Sequence, residues 1–307
     1  MRAAGLALGY AADLIFGDPR RWHPVSGFGK IARAAEHMMY ADTRRAGALF
    51  TTVLVGGTAG LGYAADRATR RHAVLNTAVT AVATWAVLGG RSLGYEARTL
   101  DDQLRRGDLA AARAQVTHLV GRDPSVLDAG GIARATVESV AENTSDAVVA
   151  PLVWGALLGP AGLLGYRAAN TLDARVGHRT PRLERFGWAS ARFDDVLNLA
   201  PARLSALLAA GLGDDARAAL RVWRRDAHKH PSPNAGPVES AFAGALGVTL
   251  GGVNVYHGRV ENRGTLGDGP HPVPADIGRA ARLAAKVGAG ALGAATVLAL
   301  AVDPRGR

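Results

Sequence analysis

The chain contains no cysteine, and only 6% of its 307 residues are aromatic. The first absence excludes disulfides, thiolate metal sites and cysteine nucleophiles. Several familiar signatures are also missing: no GxxxxGK[ST] loop, no GxGxxG after a strand and no HExxH. Basic residues outnumber acidic ones, 36 to 26. The arginines are spread over every polar segment without interleaved aromatics, a pattern for loops beside anionic lipid and not for nucleic acid.

Charge itself is absent from four long windows, 46–65, 73–90, 147–166 and 287–302. About 20 apolar residues cross roughly 30 Å of hydrocarbon as a helix. The first three windows qualify, and the fourth does so if Ala284 and Ala285 join it and Lys286 snorkels. Two weaker segments are 3–17, interrupted by Asp13, and 196–213, interrupted by Pro201 and Arg203. Glycine and alanine dominate the windows, which suits close helix packing in lipid. The N-terminal segment lacks the basic region and cleavage site of a secretory signal.

The expectation is an all-α, polytopic integral membrane protein. It has four firm transmembrane helices, two broken or re-entrant segments and cytoplasmic helical loops, as one domain over 1–307. Gly-Pro-x-Gly inside "LLGPAGLLG" breaks 147–166 into a re-entrant hairpin, and 196–213 dips in without crossing. With the N-terminus outside, the loops 18–45, 94–143 and 214–283 carry 21 Lys/Arg against 12 in the N-terminus, 66–72, 167–193 and the C-terminus, which places the loops in the cytoplasm. If all six segments span instead, 167–193 falls outside with six arginines. Residues 94–132 have the pattern of ordinary soluble helices with a polar face, one starting at an Asp108 cap.

Chemistry gathers where polar residues precede apolar ones. In "ATVESVAENTSDAVVAPL" the acids Glu138, Glu142 and Asp146 follow one another at i, i+4, i+8, on one helical face. Arg134 lies four residues before Glu138, so an intrahelical ion pair competes with a functional role there. Pro151 deprives the Ala147 carbonyl of its helical donor. Glu142 and Asp146, with that carbonyl nearby, form an oxygen set suited to Mg²⁺. A parallel arrangement recurs in "RFDDVLNLAPARL", where Asp194, Asp195 and Asn198 precede Pro201; Asn170 and Asp173 stand between the two.

A third cluster lies in "RDAHKHPSPNAGPVESAF". A basic helix from Asp214 to about Lys229 carries Arg217, Arg221, Arg224 and Arg225 and ends in a proline-stiffened loop. That loop delivers Ser232 and Asn234 to a new helix starting at Gly236–Pro237, a plausible phosphate cradle. Glu239 would stand at its third position, as a cap or a ligand. His72, His118 and His271 look like surface residues, whereas His23 and His257 are less easily dismissed.

These segments, in order, resemble the CobD/CbiB family of cobalamin-biosynthesis membrane proteins, assigned as adenosylcobinamide-phosphate synthases. "DLIFGDPRRWHPV" is similar to the family's GDP…HP opening. "VESVAENTSDAVVAPL" resembles ESxxENTSDGxxAPL, with Ala147 for glycine, and "AANTLDARVGHR" resembles NTLDxMVG, with Arg175 for an apolar residue. "RFDDVLNLAPARL", "HPSPNAGPVESAFAGALGV" and "NVYHG" match the remaining blocks.

The resemblance implies an amide ligase at the cell membrane with a cytoplasmic site. It would join adenosylcobyric acid, a corrinoid, to aminopropanol or aminopropanol phosphate, with ATP forming an acyl phosphate and Mg²⁺ assisting. Glu142 and Asp146 would hold the metal, with Asp194 or Asp195 completing it. Glu138, Glu142, Asp173 and His257 are the catalytic candidates. His23, Asn143, Asn170, Asn198, Arg225, Lys229, Ser232, Asn234, Glu239 and Tyr256 are the substrate-binding ones. A homo-oligomer is a further expectation. The rival class is a transporter or sensor that binds a cation or corrinoid without covalent chemistry.

Overall fold

Long apolar runs punctuated by proline and glycine dictate helices with short connections, and helices dominate the computed structural model. It describes residues 1–18, 23–178, 180–256 and 259–302; the side chains of residues 255, 256, 259 and 260 also lie outside the description. In order, the helices are α1 (Arg2–Phe16), α2 (Pro24–Met39), α3 (Arg44–Thr69), α4 (Ala73–Val87), α5 (Gly90–Arg105), α6 (Leu109–Val116), α7 (Ala129–Thr144), α8 (Ala150–Leu158), α9 (Pro160–Val176), α10 (Trp188–Leu212), α11 (Ala216–Asp226) and α12 (Ala235–Leu246). A hairpin of β1 (Leu250–Tyr256) and β2 (Arg259–Leu266) precedes α13 (Pro274–Val302).

This is a polytopic membrane protein. Four stretches are long and apolar enough to cross a bilayer: Arg44–Thr69, Ala73–Arg105, Trp188–Leu212 and Pro274–Val302. Leu49, Val53, Leu61, Val82, Leu207, Val297 and Leu300 on these stretches are all exposed. Apolar surface on that scale needs lipid to cover it.

The membership of the four differs from expectation. The segment 196–213 is not broken: it belongs to the continuous 25-residue α10, with Pro201 inside it. The Trp154 indole N–H donates to Leu197 O at 3.1 Å, replacing the N–H that Pro201 lacks, so no break forms. Conversely α1 has 15 residues, about 22 Å at 1.5 Å per residue and short of the hydrocarbon thickness. The 147–166 window is broken as anticipated. Gly159, at φ 62°, ends α8, and Pro160 opens α9.

The chain divides into two discontinuous units. The first comprises residues 1–89, 150–198 and 292–307; the second comprises 90–149 and 199–291. In the first, Phe50, Val55, Leu172, Val176 and Phe186 form an apolar core. Gly5 and Gly9 of α1 let it approach α4 closely, since a Cβ at Gly9 would sit 2.5 Å from Ala81 O. That is the small-xxx-small contact of membrane helices.

In the second unit, Leu100, Leu104, Ala112 and Val116 bury the predicted inner face of α5 and α6, and Asp108 caps α6 through the Ala111 N–H at 2.9 Å. The β-hairpin is an addition to the helical expectation. It pairs Leu250 with Leu266 and Asn254 with Glu261, and its register shifts between Gly251 and Val253. Gly251 and Gly252 carry this bulge at φ 78° and 84°, backbone that side chains rarely tolerate.

Candidate functional site

The bulge explains where the first acid of the ladder goes. Arg134 and Glu138, one turn apart on α7, do not pair with each other. Arg134 donates to Gly251 O at 2.7 Å and to Asn254 Oδ1 at 3.1 Å. Glu138 accepts the Gly251 N–H at 2.7 Å and is ion-paired with buried Arg122. Buried backbone polar groups must be satisfied, and a buried guanidinium needs a carboxylate; both demands outrank a helix-surface ion pair.

Glu142, half-buried, follows on the same face. Burial pushes its carboxyl up, Arg263 opposes that shift, and Glu138 adds to it. Just beyond, Ser145–Val149 winds as a π-turn instead of the regular helix anticipated. Pro151 follows it, and π-turns concentrate at functional sites. Asp146 stands within that turn. Asn143 donates to Ser139 O and Oγ, at 2.9 and 3.0 Å.

The deepest acid is Glu239. It does not cap α12, because that helix starts at Ala235 and puts Glu239 beyond the first turn. It is completely buried, and among the described residues neither carboxyl oxygen has a hydrogen-bond partner. Burial, then the neighbouring charges of Glu138 and Glu142, push its carboxyl well above the carboxylate range, against the pull of Arg263 and Arg122. His230 Nε2 lies 3.7 Å from its Oε1. Burial first, with Arg263 and Arg122, pushes that imidazole down to about 4, so it is neutral at neutral pH. His230 Nδ1 accepts the Ser232 N–H at 3.0 Å, which leaves the proton of the neutral ring on Nε2, facing Glu239.

The surrounding loop is committed to local structure. Ser232 Oγ accepts the Asn234 and Ala235 N–H groups, at 3.3 and 3.2 Å, and Asn234 Oδ1 accepts from Arg203 at 3.0 Å. Arg225 and Lys229, expected at a phosphate, both bind buried Asp226 at 2.6 Å, and Arg225 also reaches Asp268. Burial raises the Asp226 carboxyl, but Arg225, Lys229 and the Gly267 N–H outweigh it and hold it below the carboxylate range.

The first unit gathers a second cluster. Asp194 accepts from Asn198 at 2.9 Å and from Asn170 at 3.4 Å, and Tyr166 donates to Asn198 at 2.9 Å. Asp173 and Asp195 act on Asp194 electrostatically. The four expected metal ligands therefore divide between the units, Glu142 and Asp146 in one, Asp194 and Asp195 in the other. Among the described residues, no three His, Asp or Glu side chains group as a metal set. Two carboxylates completed by substrate phosphates remain a fit for Mg²⁺. His23 is a cap: its Nδ1 accepts the Val25 N–H at 3.1 Å and its Nε2 faces Asp18 at 3.2 Å. His257 and the Tyr256 side chain lie outside the described residues.

His230 and Arg122 went unnoticed in the sequence. Their only signal was position: one precedes a proline, the other sits in an ordinary loop. Arg175, which departs from the family block, forms a two-nitrogen ion pair with buried Glu36, at 3.0 and 2.9 Å.

A family model described as CobD/Cbib protein matches residues 6–284. The chain is 50% identical over 301 residues to the cobalamin biosynthesis protein CobD of Mycobacterium tuberculosis, covering 97% of this chain and 96% of that one. It is 46% identical over 283 residues to the protein of that name from Chromobacterium violaceum, with 91% and 90% covered. For Rhodobacter capsulatus the figure is 43% over 300 residues, with 94% of each covered. No solved structure matches the chain.

Proposed function

This chain belongs to the CobD/CbiB family, and from that premise we propose that it is the amide ligase of cobalamin biosynthesis. It joins the free propionate carboxylate of adenosylcobyric acid to the amine of aminopropanol or its O-phosphate. A carboxylate is a poor electrophile, so its oxygen first attacks the terminal phosphorus of ATP, giving an acyl phosphate and ADP. The amine nitrogen then attacks the acyl carbon; the C–N bond forms, the C–O bond to phosphate breaks, and phosphate leaves. The nitrogen's proton needs an acceptor.

The observation that carries this reading is Glu239, buried with both oxygens unpartnered and its carboxyl raised. A carboxylate lifted by burial is a stronger base than an exposed one, and an incoming ammonium supplies the hydrogen bonds it lacks. Glu142 lies near enough to share that cation electrostatically, and the neutral His230 N–H faces the Glu239 carboxyl from 3.7 Å. Glu138, tied to Arg122 and Gly251, positions the β-hairpin. Mg²⁺, held by Glu142 and Asp146, would neutralise phosphate charge.

The test is an assay of purified protein with adenosylcobyric acid, ATP and each amine form, read by mass spectrometry. Amide product with the wild type, and none with Glu239→Gln, supports the ligase. Corrinoid binding without product under any nucleotide favours the transporter or sensor.

A further inference from the structure

Helix α11 follows α10 after only three residues. One of its faces is buried through Ala219, Val222 and Asp226. The other carries Arg217, Arg221 and Arg224, spaced i, i+4, i+7 and all exposed. Such spacing stacks the three guanidinium groups on one side of the helix. Unlike Arg225, which is ion-paired with Asp226 and Asp268, none of the three has a hydrogen bond or ion pair among the described residues.

Like charges at this spacing repel and cost helix stability, and no acid pairs with the three among the described residues. The three line a groove of about 500 Å³ together with Leu220 and Arg225. No acid lines it. Planar guanidinium forks on one wall, with no carboxylate to answer them, match phosphate oxygens.

We propose that the Arg217–Arg221–Arg224 face of α11 is a phosphate-binding site, separate from the Glu142–Glu239 cluster and independent of the reaction assigned above. Phosphate reaches it from one of two sources. The first is an anionic phospholipid headgroup: α11 starts where a membrane-length helix ends, the depth at which juxtamembrane arginines meet headgroups. The second is the phosphate chain of a soluble polyphosphate ligand.

The experiment compares full-length wild type with the triple variant Arg217→Gln/Arg221→Gln/Arg224→Gln. One arm reconstitutes both in nanodiscs of phosphatidylcholine, alone or mixed with phosphatidylglycerol. The other titrates tripolyphosphate onto both in neutral detergent. Thermal unfolding and calorimetry are the readouts. Because the three side chains bond to nothing among the described residues, both proteins should unfold at the same temperature in phosphatidylcholine alone.

If the headgroup is the ligand, phosphatidylglycerol stabilises the wild type and not the variant. If a soluble phosphate is the ligand, tripolyphosphate binds the wild type at least about tenfold more tightly than the variant, as expected for loss of one or more charge-assisted contacts. Either result supports the site and names its source. Equal responses of wild type and variant in both arms, or no response of the wild type in either, overturn it.

Discussion

The indole N–H of Trp154 donates to the carbonyl of Leu197, 3.1 Å away, the one group that Pro201 strips of its helical donor. A side chain from α8 thereby keeps α10 continuous across a proline. Trp154→Phe leaves that carbonyl unsatisfied, at a cost of about 1–3 kcal/mol. In a Pro201→Ala background the helix supplies its own N–H, and the same substitution should cost much less. Thermal unfolding of the four proteins of this cycle measures the coupling; equal costs in both backgrounds would refute the bond.

Glu138→Gln should be severe, because Arg122 loses the carboxylate it faces in a buried site. Breaking such a pair costs about 3–5 kcal/mol. Arg134→Gln, which loses two hydrogen bonds to the hairpin at a half-buried position, should be milder. Chemical denaturation ranks the two. The reverse order would mean that Glu138 is held by Arg134 after all.

The Glu239 and His230 shifts have opposite pH signatures. An acid whose folded pKa is raised loses stability as pH climbs from about 4.3, its unfolded value, through the folded one. Glu239→Gln should therefore flatten the alkaline side of the stability profile. His230, pushed down to about 4, contributes stability that is lost as pH falls from about 6.5 toward that value. His230→Gln should flatten the acid side instead. Unfolding temperature across pH, for all three proteins, separates the two limbs.

Asp146→Asn and Glu142→Gln test the proposed Mg²⁺ ligands. Each should weaken binding of Mn²⁺, used as a spectroscopic substitute, and turnover of the Glu142 variant should partly recover at high Mg²⁺. Unchanged Mn²⁺ affinity in both variants removes these two residues from metal binding.

Reporter fusions test the orientation. One after Gly107 should be cytoplasmic and one near Asp66–His72 external. A fusion near Pro181 is cytoplasmic if 147–166 is re-entrant, external if that segment crosses. An external Gly107 fusion overturns the assignment.

Local chemistry was legible in the sequence: charge-free windows, the Asp108 cap and the break at Gly159–Pro160 all follow from residues within a turn or two of one another. The family blocks likewise pointed to Glu138, Glu142 and Glu239. What local spacing could not reveal was which partner wins. Arg134 is closer to Glu138 along the chain than Arg122 is, yet burial and an orphan Gly251 N–H decide otherwise. The same holds for His230: a histidine before proline looks like loop, and only tertiary enclosure makes it a neutral neighbour of Glu239. Pro201 misled in the opposite direction, because the donor that repairs it stands 43 residues away along the chain.

The interleaving of the two units constrains how the protein is made. The first unit takes residues 1–89, 150–198 and the last part of α13, whereas the second is finished by residue 291. During synthesis the N-terminal helices therefore enter the bilayer first yet wait longest for their final neighbour. A chain truncated before Leu292 would hold every residue of the second unit and a first unit still missing the last part of α13. Membrane quality-control proteases would meet that gap, so truncation near the C-terminus should lower the amount of protein in the cell before it touches any chemistry.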